Sequence, residues 1–205
     1  MDDALTELTV YIVDDDRAVR DSLSLLLSLR GFRTATFASA EDFLAAWQPE
    51  WAGCLIADIR MPGMSGLDLQ HALVARGSSL PVVIVTAHGD VGTARAAFRA
   101  HAVDFLEKPF DEEGPVLAVQ ACFARERERL ATRLLDAKRD ESLASLTARE
   151  REVMDLLVLG MHNRDVAERL AISARTVEVH KARVMAKLGA RNLAELIRIS
   201  HGAGG

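Results

Sequence analysis

Residues rich in apolar side chains come in five short runs before position 110, each bounded by polar or turn-forming residues. Runs of this length are too short for helices and are typical of buried strands. We therefore predict strands at residues 11–13, 32–37, 54–57, 81–86 and 103–106.

The stretches between these runs have helical spacing. One apolar helix face after the first run consists of Val19, Leu23, Leu26 and Leu27. Gly31 is a stop signal for that helix. Further helices are predicted at 40–47, where Ser39 can act as N-cap, at 67–76 and at about 91–100. This alternation of strand and helix favours a parallel sheet covered on both faces.

Four of the predicted strands end in side chains that can take part in chemistry. These side chains are Asp14, Asp15 and Asp16 after the first strand, Asp58 after the third, Thr86 at the end of the fourth, and Lys108 after the fifth. In an open parallel sheet these strand ends form the edge where ligands bind. Close carboxylates repel one another unless a proton or cation lies between them, and Mg²⁺ prefers such oxygen ligands. An aspartate there can attack phosphorus while the metal neutralises the developing charge.

A simpler role exists for Asp58, because Asp is common in turns and could merely cap the bend that Pro62, Gly63 and Gly66 impose. Each of the other strand ends also has an ordinary explanation. Three acids, a single acid, a hydroxyl and an ammonium at four of the five predicted strand ends are harder to explain together, so we favour the chemical interpretation.

Residues 8 to about 125 resemble the receiver domain of two-component response regulators. The resemblance rests on DD after the first strand, DIRMPGMSG at Asp58, TAHGD at Thr86 and KPF at Lys108. It implies a flavodoxin-like, doubly wound, five-stranded parallel sheet. Asp58 would be the phosphoacceptor, and Thr86 and Lys108 would contact the phosphoryl group.

The same resemblance implies a Mg²⁺ site and a switch. The implied ligands are Asp14, Asp15, Asp58 and the backbone carbonyl of Arg60. Asp16 is not needed as a ligand. Phe105 matches the aromatic residue that moves with Thr86, and the Lys108–Pro109 bond matches one that is usually cis.

Composition and charge agree with this domain and set limits on the rest. The chain is 49% hydrophobic with a net charge of −5, but from Leu146 onward it carries 10 Lys and Arg against 7 Asp and Glu. That mildly basic part permits a nucleic-acid partner. The two cysteines, Cys54 and Cys122, are expected to be buried thiols. The N-terminus lacks the basic region of a signal peptide and no stretch suits a membrane span, so we expect a cytoplasmic protein.

The sequence after Leu146 predicts short helices joined by tight turns. Thr147 to Glu150 fits a capping box, Asn163 can N-cap a second helix and Ser173 a third. The core face of the first helix is predicted to hold Val153, Leu156, Leu157 and Met161. Short helices of this kind, with a basic last one, are typical of a helix-turn-helix.

The third of these helices has two distinct faces. Val177, Val184 and Leu188 are expected to face the core. Another face, free to enter a major groove, holds Arg175, Glu178, Val179 and Ala182. Phosphates could be contacted by the surrounding cations Lys181, Arg183, Lys187 and Arg191. The helical pattern alone leaves a small helical protein-interaction domain open as the alternative.

Residues from about 146 to 199 resemble the LuxR-type helix-turn-helix of the NarL/FixJ class, through LTAREREV, NRDVA and SARTVEVH. The resemblance implies that Glu178, Val179 and Ala182 face bases and that Arg175, Thr176 and Lys181 lie near the DNA backbone. Glu178 departs from members that carry Lys there. It could accept a hydrogen bond from a cytosine amino group, or it could point away from the DNA.

We therefore expect a receiver domain at 1–125, a helical linker at 126–144 and a DNA-binding domain at 145–205. Leu130, Leu134 and Leu135 have helical spacing, which leaves pairing of the linker with a second copy open. Gly114–Pro115 is expected to start the helix after KPF late, at Pro115.

The order of the two domains predicts a transcription factor switched by phosphorylation. A histidine kinase and promoter DNA are the expected partners, with homodimerisation on phosphorylation and RNA polymerase as a further possible partner. We expect no enzyme activity beyond slow self-dephosphorylation. Two alternatives are a Mg²⁺-dependent phosphatase and a DNA-binding protein with a vestigial receiver. Such a phosphatase needs a second acid close after its nucleophile, and Arg60 occupies that position here.

Overall fold

The computed structural model describes residues 8–87, 95 and 102–201. Apart from residue 95, the helix predicted at about 91–100 lies outside these residues. The chain divides into two compact units, residues 1–130 and 131–205. The sheet is confined to the first unit, and the described part of the second contains only helices.

The first unit contains a five-stranded parallel sheet. Its strands are β1 (Thr9–Val13), β2 (Arg33–Phe37), β3 (Gly53–Asp58), β4 (Val82–Thr86) and β5 (Asp104–Glu107). They lie in the order β2-β1-β3-β4-β5, which is the doubly wound order of flavodoxin-like folds. The predicted fold class is confirmed.

Helices of the first unit follow the predicted pattern. They are α1 (Arg17–Leu29), α2 (Ala40–Ala46), α3 (Gly66–Ala75) and α4 (Glu113–Ala144), the last of which extends into the second unit. Ser39 caps α2 by accepting a hydrogen bond from the backbone N–H of Asp42, as predicted.

The start of α4 differs from the prediction. The helix begins at Glu113 and not at Pro115, which lies in the first turn. The carboxylate of Asp111 accepts a hydrogen bond from the backbone N–H of Gly114 at 2.7 Å. This contact satisfies an N–H that has no partner inside the helix, so the helix can begin before the proline.

The core of this unit has two layers, one on each sheet face, because successive strand residues point to opposite sides. Val10 and Ile12 pack with Leu23, Leu27 and Val119 on one face. On the other face Tyr11 and Val13 pack among Phe43, Leu55 and Leu69. Every residue of β3 is buried, so this strand holds Asp58 at the centre of the sheet.

The second unit contains the end of α4 and four shorter helices. These are α5 (Ala148–Val158), α6 (Asn163–Leu170), α7 (Ala174–Leu188) and α8 (Leu193–His201). Thr147 and Glu150 form the predicted capping box, and Ser173 caps α7. The predicted cap at Asn163 is wrong, because Asn163 is the first helical residue and His162, which makes no side-chain cap bond, precedes it.

Helix α8 is not part of the sequence prediction. Leu196 is its fully buried anchor, and Leu193 and Ile199 pack against the same core cluster. Apolar residues at this spacing are the signal that would have found the helix.

Candidate functional site: the phosphoacceptor edge and the exposed helix

Parallel pairing brings the four predicted strand ends to one edge of the sheet. Asp14 follows β1, Asp58 ends β3, Thr86 ends β4 and Lys108 follows β5. Asp58 stands beside Val85 in the register of β3 with β4. Only 3% of Asp14, 6% of Asp58 and 1% of Thr86 is exposed. The edge therefore holds two carboxylates and a hydroxyl that are largely removed from water.

Lys108 joins the two buried carboxylates. Its Nζ atom donates to Oδ2 of Asp14 at 2.5 Å and to Oδ1 of Asp58 at 2.7 Å. Its backbone N–H donates to the carbonyl oxygen of Thr86 at 2.7 Å. The Lys108–Pro109 bond is cis, as predicted. The ammonium thus lies between two acids that would otherwise repel each other.

The second oxygen of Asp58 is held by its own loop. The backbone N–H of Arg60 donates to Oδ2 of Asp58 at 2.6 Å. The chain then turns back, so that a Cβ on Gly66 would lie 2.3 Å from the carbonyl oxygen of Asp58. Only glycine fits at this close approach, which explains the last residue of the DIRMPGMSG motif.

The three consecutive acids have different roles. Oδ1 of Asp14 accepts a hydrogen bond from the backbone N–H of Asp16 at 2.9 Å. Asp16 is the N-cap of α1 and accepts from the N–H of Ala18 at 2.8 Å. The side chain of Asp15 is exposed. Because Asp16 caps a helix, Asp14 and Asp15 are the two acids of the run that suit a metal.

The two switch candidates lie on adjacent strands. Phe105 pairs with Ile84 in the register of β4 with β5, and Thr86 pairs with Glu107. Phe105 is half-buried and packs against the core cluster around Phe43. The structure therefore places both residues near the phosphoacceptor edge, as the resemblance implies.

In the second unit, α7 presents the predicted faces. Val177, Val184 and Leu188 are buried. The exposed residues include Arg175, Glu178, Val179, Ala182 and Arg183, while Thr176 and Lys181 are half-buried. Val179 is 45% exposed. This face is therefore available for contact with another molecule.

Two family models match the chain. The response regulator receiver domain matches residues 10–120. The luxR family of bacterial regulatory proteins matches residues 144–200.

The chain is a response regulator.

Relatives of this response regulator match it along nearly its whole length. The transcriptional regulatory protein FixJ of Azorhizobium caulinodans is 45% identical and covers 96% of this chain and 93% of its own. The C4-dicarboxylate transport transcriptional regulatory protein DctR of Rhodobacter capsulatus is 48% identical, and the match covers 94% of this chain and 98% of DctR. The regulator is therefore a phosphorylation-dependent DNA-binding protein by family.

Solved structures of response regulators are also similar to this chain. The response regulator StyR is 40% identical with a TM-score of 0.85, covering 96% of this chain and 99% of that one. The structure of FixJ-N is 41% identical with a TM-score of 0.55, and the match covers 58% of this chain and 95% of that one. Within the residues described, no helix of the regulator is both long and apolar enough to cross a membrane.

The electrostatics of the phosphoacceptor edge reflect burial and ion pairing. Burial raises the pKa of the Asp58 carboxyl, although the hydrogen bond and charge of Lys108 act against this. Burial opposes the charged form of Lys108, but its hydrogen bonds to Asp14 and Asp58 outweigh this effect and raise its pKa. The ammonium therefore remains charged and is available to pair with an anion bound at this edge.

Receiver domains bind Mg²⁺ at this edge, and the residues present fit such an ion. In the described parts of the chain, no three His, Cys, Asp or Glu side chains already converge as a metal site. However, Asp14 and Asp58 both point an oxygen at one cation, the Lys108 ammonium. Carboxylates arranged in this way, with the exposed Asp15 beside them, supply the hard oxygen ligands that Mg²⁺ requires.

Two cations predicted to contact DNA phosphates have partners within the second unit. Lys187 donates to Oε2 of the buried Glu150 at 2.6 Å and to the carbonyl oxygen of Ser145 at 3.0 Å. Arg191 pairs with Glu195 at 2.6 Å. Lys187 therefore has a structural task that the helical pattern did not indicate.

This pairing explains the acidity of Glu150. The hydrogen bond from Lys187, followed by that from the backbone N–H of Thr147, lowers the pKa of Glu150 to about 2. Glu150 also completes the capping box of α5. One carboxylate thus connects the start of α5 with the last turn of α7.

Proposed function

We propose that this response regulator accepts a phosphoryl group on Asp58 from a histidine kinase and then binds promoter DNA through α7. The observation that carries the proposal is the contact of Lys108 with both Asp58 and Asp14 at a buried strand edge. This arrangement provides a nucleophile, a neighbouring acid and a cation within hydrogen-bond distance.

In the proposed transfer, a carboxylate oxygen of Asp58 forms a bond to phosphorus while the bond from phosphorus to the kinase imidazole nitrogen breaks. The electron pair of the broken bond remains on that nitrogen. Bound Mg²⁺, held by Asp14, Asp15, Asp58 and the carbonyl of Arg60, would neutralise charge on the phosphoryl oxygens. Lys108 pairs with one of these oxygens, and the hydroxyl of Thr86 donates to another.

The signal follows from the added charge. Phosphorylation replaces the single negative charge of the Asp58 carboxylate with a phosphoryl group that carries about two, at an edge where one ammonium pairs with Asp14 and Asp58. Thr86 moves toward the phosphoryl group, and Phe105 fills the space that it leaves. This shift favours a form that dimerises, which matches two α7 helices to two half-sites of DNA.

The DNA contacts in this proposal come from the exposed face of α7. Glu178, Val179 and Ala182 read base edges, with Glu178 accepting from a cytosine amino group. Phosphate contacts come from Arg175, Thr176, Lys181 and Arg183. We propose a smaller phosphate role for Lys187, because Glu150 competes for its ammonium. RNA polymerase as a partner and a cytoplasmic location stay predictions.

Transfer of label from a small radioactive phosphodonor, such as acetyl phosphate, tests the acceptor. Wild-type protein with Mg²⁺ is expected to become labelled, and Asp58→Asn is expected to remain unlabelled. Asp21→Asn is the matched control, because Asp21 is an exposed acid of α1 whose ion pair is with Arg17. Labelling of Asp58→Asn at the wild-type level would disprove the assignment.

Sedimentation with Mg²⁺ and beryllofluoride, an aspartyl-phosphate mimic, tests the output. A shift from monomer to dimer that Asp58→Ala abolishes is the expected result. Beryllofluoride bound without any shift would exclude dimerisation as the response while leaving the acceptor site intact.

A further inference from the structure

The carbonyl oxygen of Asp14 is held by an arginine that the receiver motifs do not include. Arg20 lies in the first turns of α1, and its Nη1 atom donates to this oxygen at 2.6 Å. Arg20 is half-buried. It therefore forms a short, charge-assisted hydrogen bond to the backbone at the end of β1.

This carbonyl belongs to the peptide unit that joins Asp14 to Asp15. A peptide unit is planar, so fixing its carbonyl also fixes its N–H and the direction in which the chain leaves β1. Asp14 has three further contacts: its N–H donates to the carbonyl of Phe37, and its carboxylate accepts from Asp16 and Lys108. By contrast, the side chain of Asp15 is exposed, so its position depends on the backbone that carries it.

We propose that Arg20 is a positioning residue for the magnesium site, and that it acts by holding the peptide between Asp14 and Asp15. The inference rests on the proposed function, because it assumes that these two acids bind the metal. Groups that orient metal ligands from outside the ligand shell commonly change metal affinity 10–100-fold when they are removed.

Loss of the Arg20 charge and loss of its hydrogen bond predict opposite changes in Mg²⁺ affinity. A guanidinium near a metal site repels Mg²⁺, so loss of its charge alone would tighten binding. Loss of its hydrogen bond would let the peptide rotate and would weaken binding. The direction of the change therefore separates the two effects.

The experiment measures the Kd of Mg²⁺ alone by calorimetry on the full chain. We expect Arg20→Met to raise this Kd about tenfold. Arg17→Met is the matched control, because Arg17 lies on the same helix with an 86% exposed side chain and pairs with Asp21. It removes the same charge without touching Asp14, and its Kd is expected to stay within about twofold of wild type.

Two further measurements distinguish positioning from a purely structural role. Arg20→Lys keeps the charge and one donor, and we expect it to recover part of the lost affinity. In phosphorylation by acetyl phosphate, Arg20→Met is expected to need more Mg²⁺ for half-maximal rate but to reach a similar rate at saturating Mg²⁺. Thermal unfolding without Mg²⁺ checks that each variant is folded.

Three outcomes would overturn the inference. In the first, Arg20→Met binds Mg²⁺ as tightly as wild type or more tightly. In the second, Arg17→Met loses as much Mg²⁺ affinity as Arg20→Met. In the third, Arg20→Met has a lower thermal midpoint but an unchanged Kd for Mg²⁺. Failure of the proposed function would look different, because wild-type protein itself would then bind neither Mg²⁺ nor beryllofluoride.

Discussion

The ammonium of Lys108 lies 2.7 Å from Oδ1 of Asp58, although 50 residues separate them in the chain. The same ammonium contacts Asp14, so one side chain pairs with both the proposed acceptor and a proposed metal ligand. A phosphoryl group on Asp58 would compete for this cation. In the proposed mechanism, Lys108 is therefore one of the groups that respond to phosphorylation of Asp58.

Removal of the Lys108 ammonium should separate metal binding from signalling. In Lys108→Met the two carboxylates face each other without a cation, so we expect Mg²⁺ to bind several-fold more tightly. Dimerisation in beryllofluoride is expected to be lost, because no ammonium is present to pair with the bound mimic. Calorimetry and sedimentation measure the two effects, and weaker Mg²⁺ binding would contradict the electrostatic argument.

The hydroxyl of Thr86 is expected to matter more than its shape. Thr86→Val keeps the volume and removes the donor, whereas Thr86→Ser keeps the donor. We expect Thr86→Val to bind beryllofluoride, but the increase in DNA affinity that beryllofluoride causes should be at least about tenfold smaller than in wild type. Thr86→Ser is expected to retain most of that increase. Fluorescence anisotropy with labelled promoter DNA measures this, and equal behaviour of the two variants would remove Thr86 from the switch.

Acid should weaken the second unit through Glu150. Its folded pKa of about 2 lies below the ordinary value of 4.5, so its ionised form stabilises the fold above about pH 4.5, and this contribution is lost as pH falls toward 2. We expect Glu150→Gln to have a lower free energy of unfolding than wild type at pH 6. The difference should disappear near pH 2. Urea unfolding followed by circular dichroism tests this, and a difference that stays constant with pH would contradict it.

The lysines of α7 should divide into two classes. Lys181→Met is expected to reduce the slope of log K against log salt by about 1, as loss of one phosphate contact does. Lys187→Met is expected to leave this slope nearly unchanged and to lower stability instead, because it leaves the buried Glu150 without its ammonium partner. DNA-binding titrations over a range of salt concentrations separate the two, and equal slopes for both variants would return Lys187 to the phosphate-binding set.

Glu178 should set a base preference. A carboxylate accepts from the amino group of cytosine, whereas an amide forms two hydrogen bonds with adenine, and such contacts contribute about 1–3 kcal/mol of discrimination. We expect Glu178→Gln to change the preferred base at one position of each half-site from cytosine to adenine. Selection from a randomised DNA pool measures this. An unchanged preference would mean that Glu178 points away from the bases.

Much of this molecule is determined locally in the sequence. Short apolar runs and helical spacing predicted the sheet and most of the described helices, because each pattern is complete within a few residues. The motifs around Asp14, Asp58, Thr86 and Lys108 predicted one shared edge, because the carboxyl ends of parallel strands must meet there. The exposed face of α7 followed from the spacing of its buried residues.

Only the tertiary structure decided which long side chains meet. Lys187 sits on a face that could contact DNA, yet packing of α7 against α5 brings it to Glu150, 37 residues earlier. Arg20 belongs to a helix with an ordinary amphipathic pattern, yet the turn after β1 places its guanidinium on the Asp14 carbonyl. Side chains of this length reach several possible partners, and no local pattern ranks them. The choice depends on how the backbone elements pack and on which buried polar groups would otherwise lack a partner.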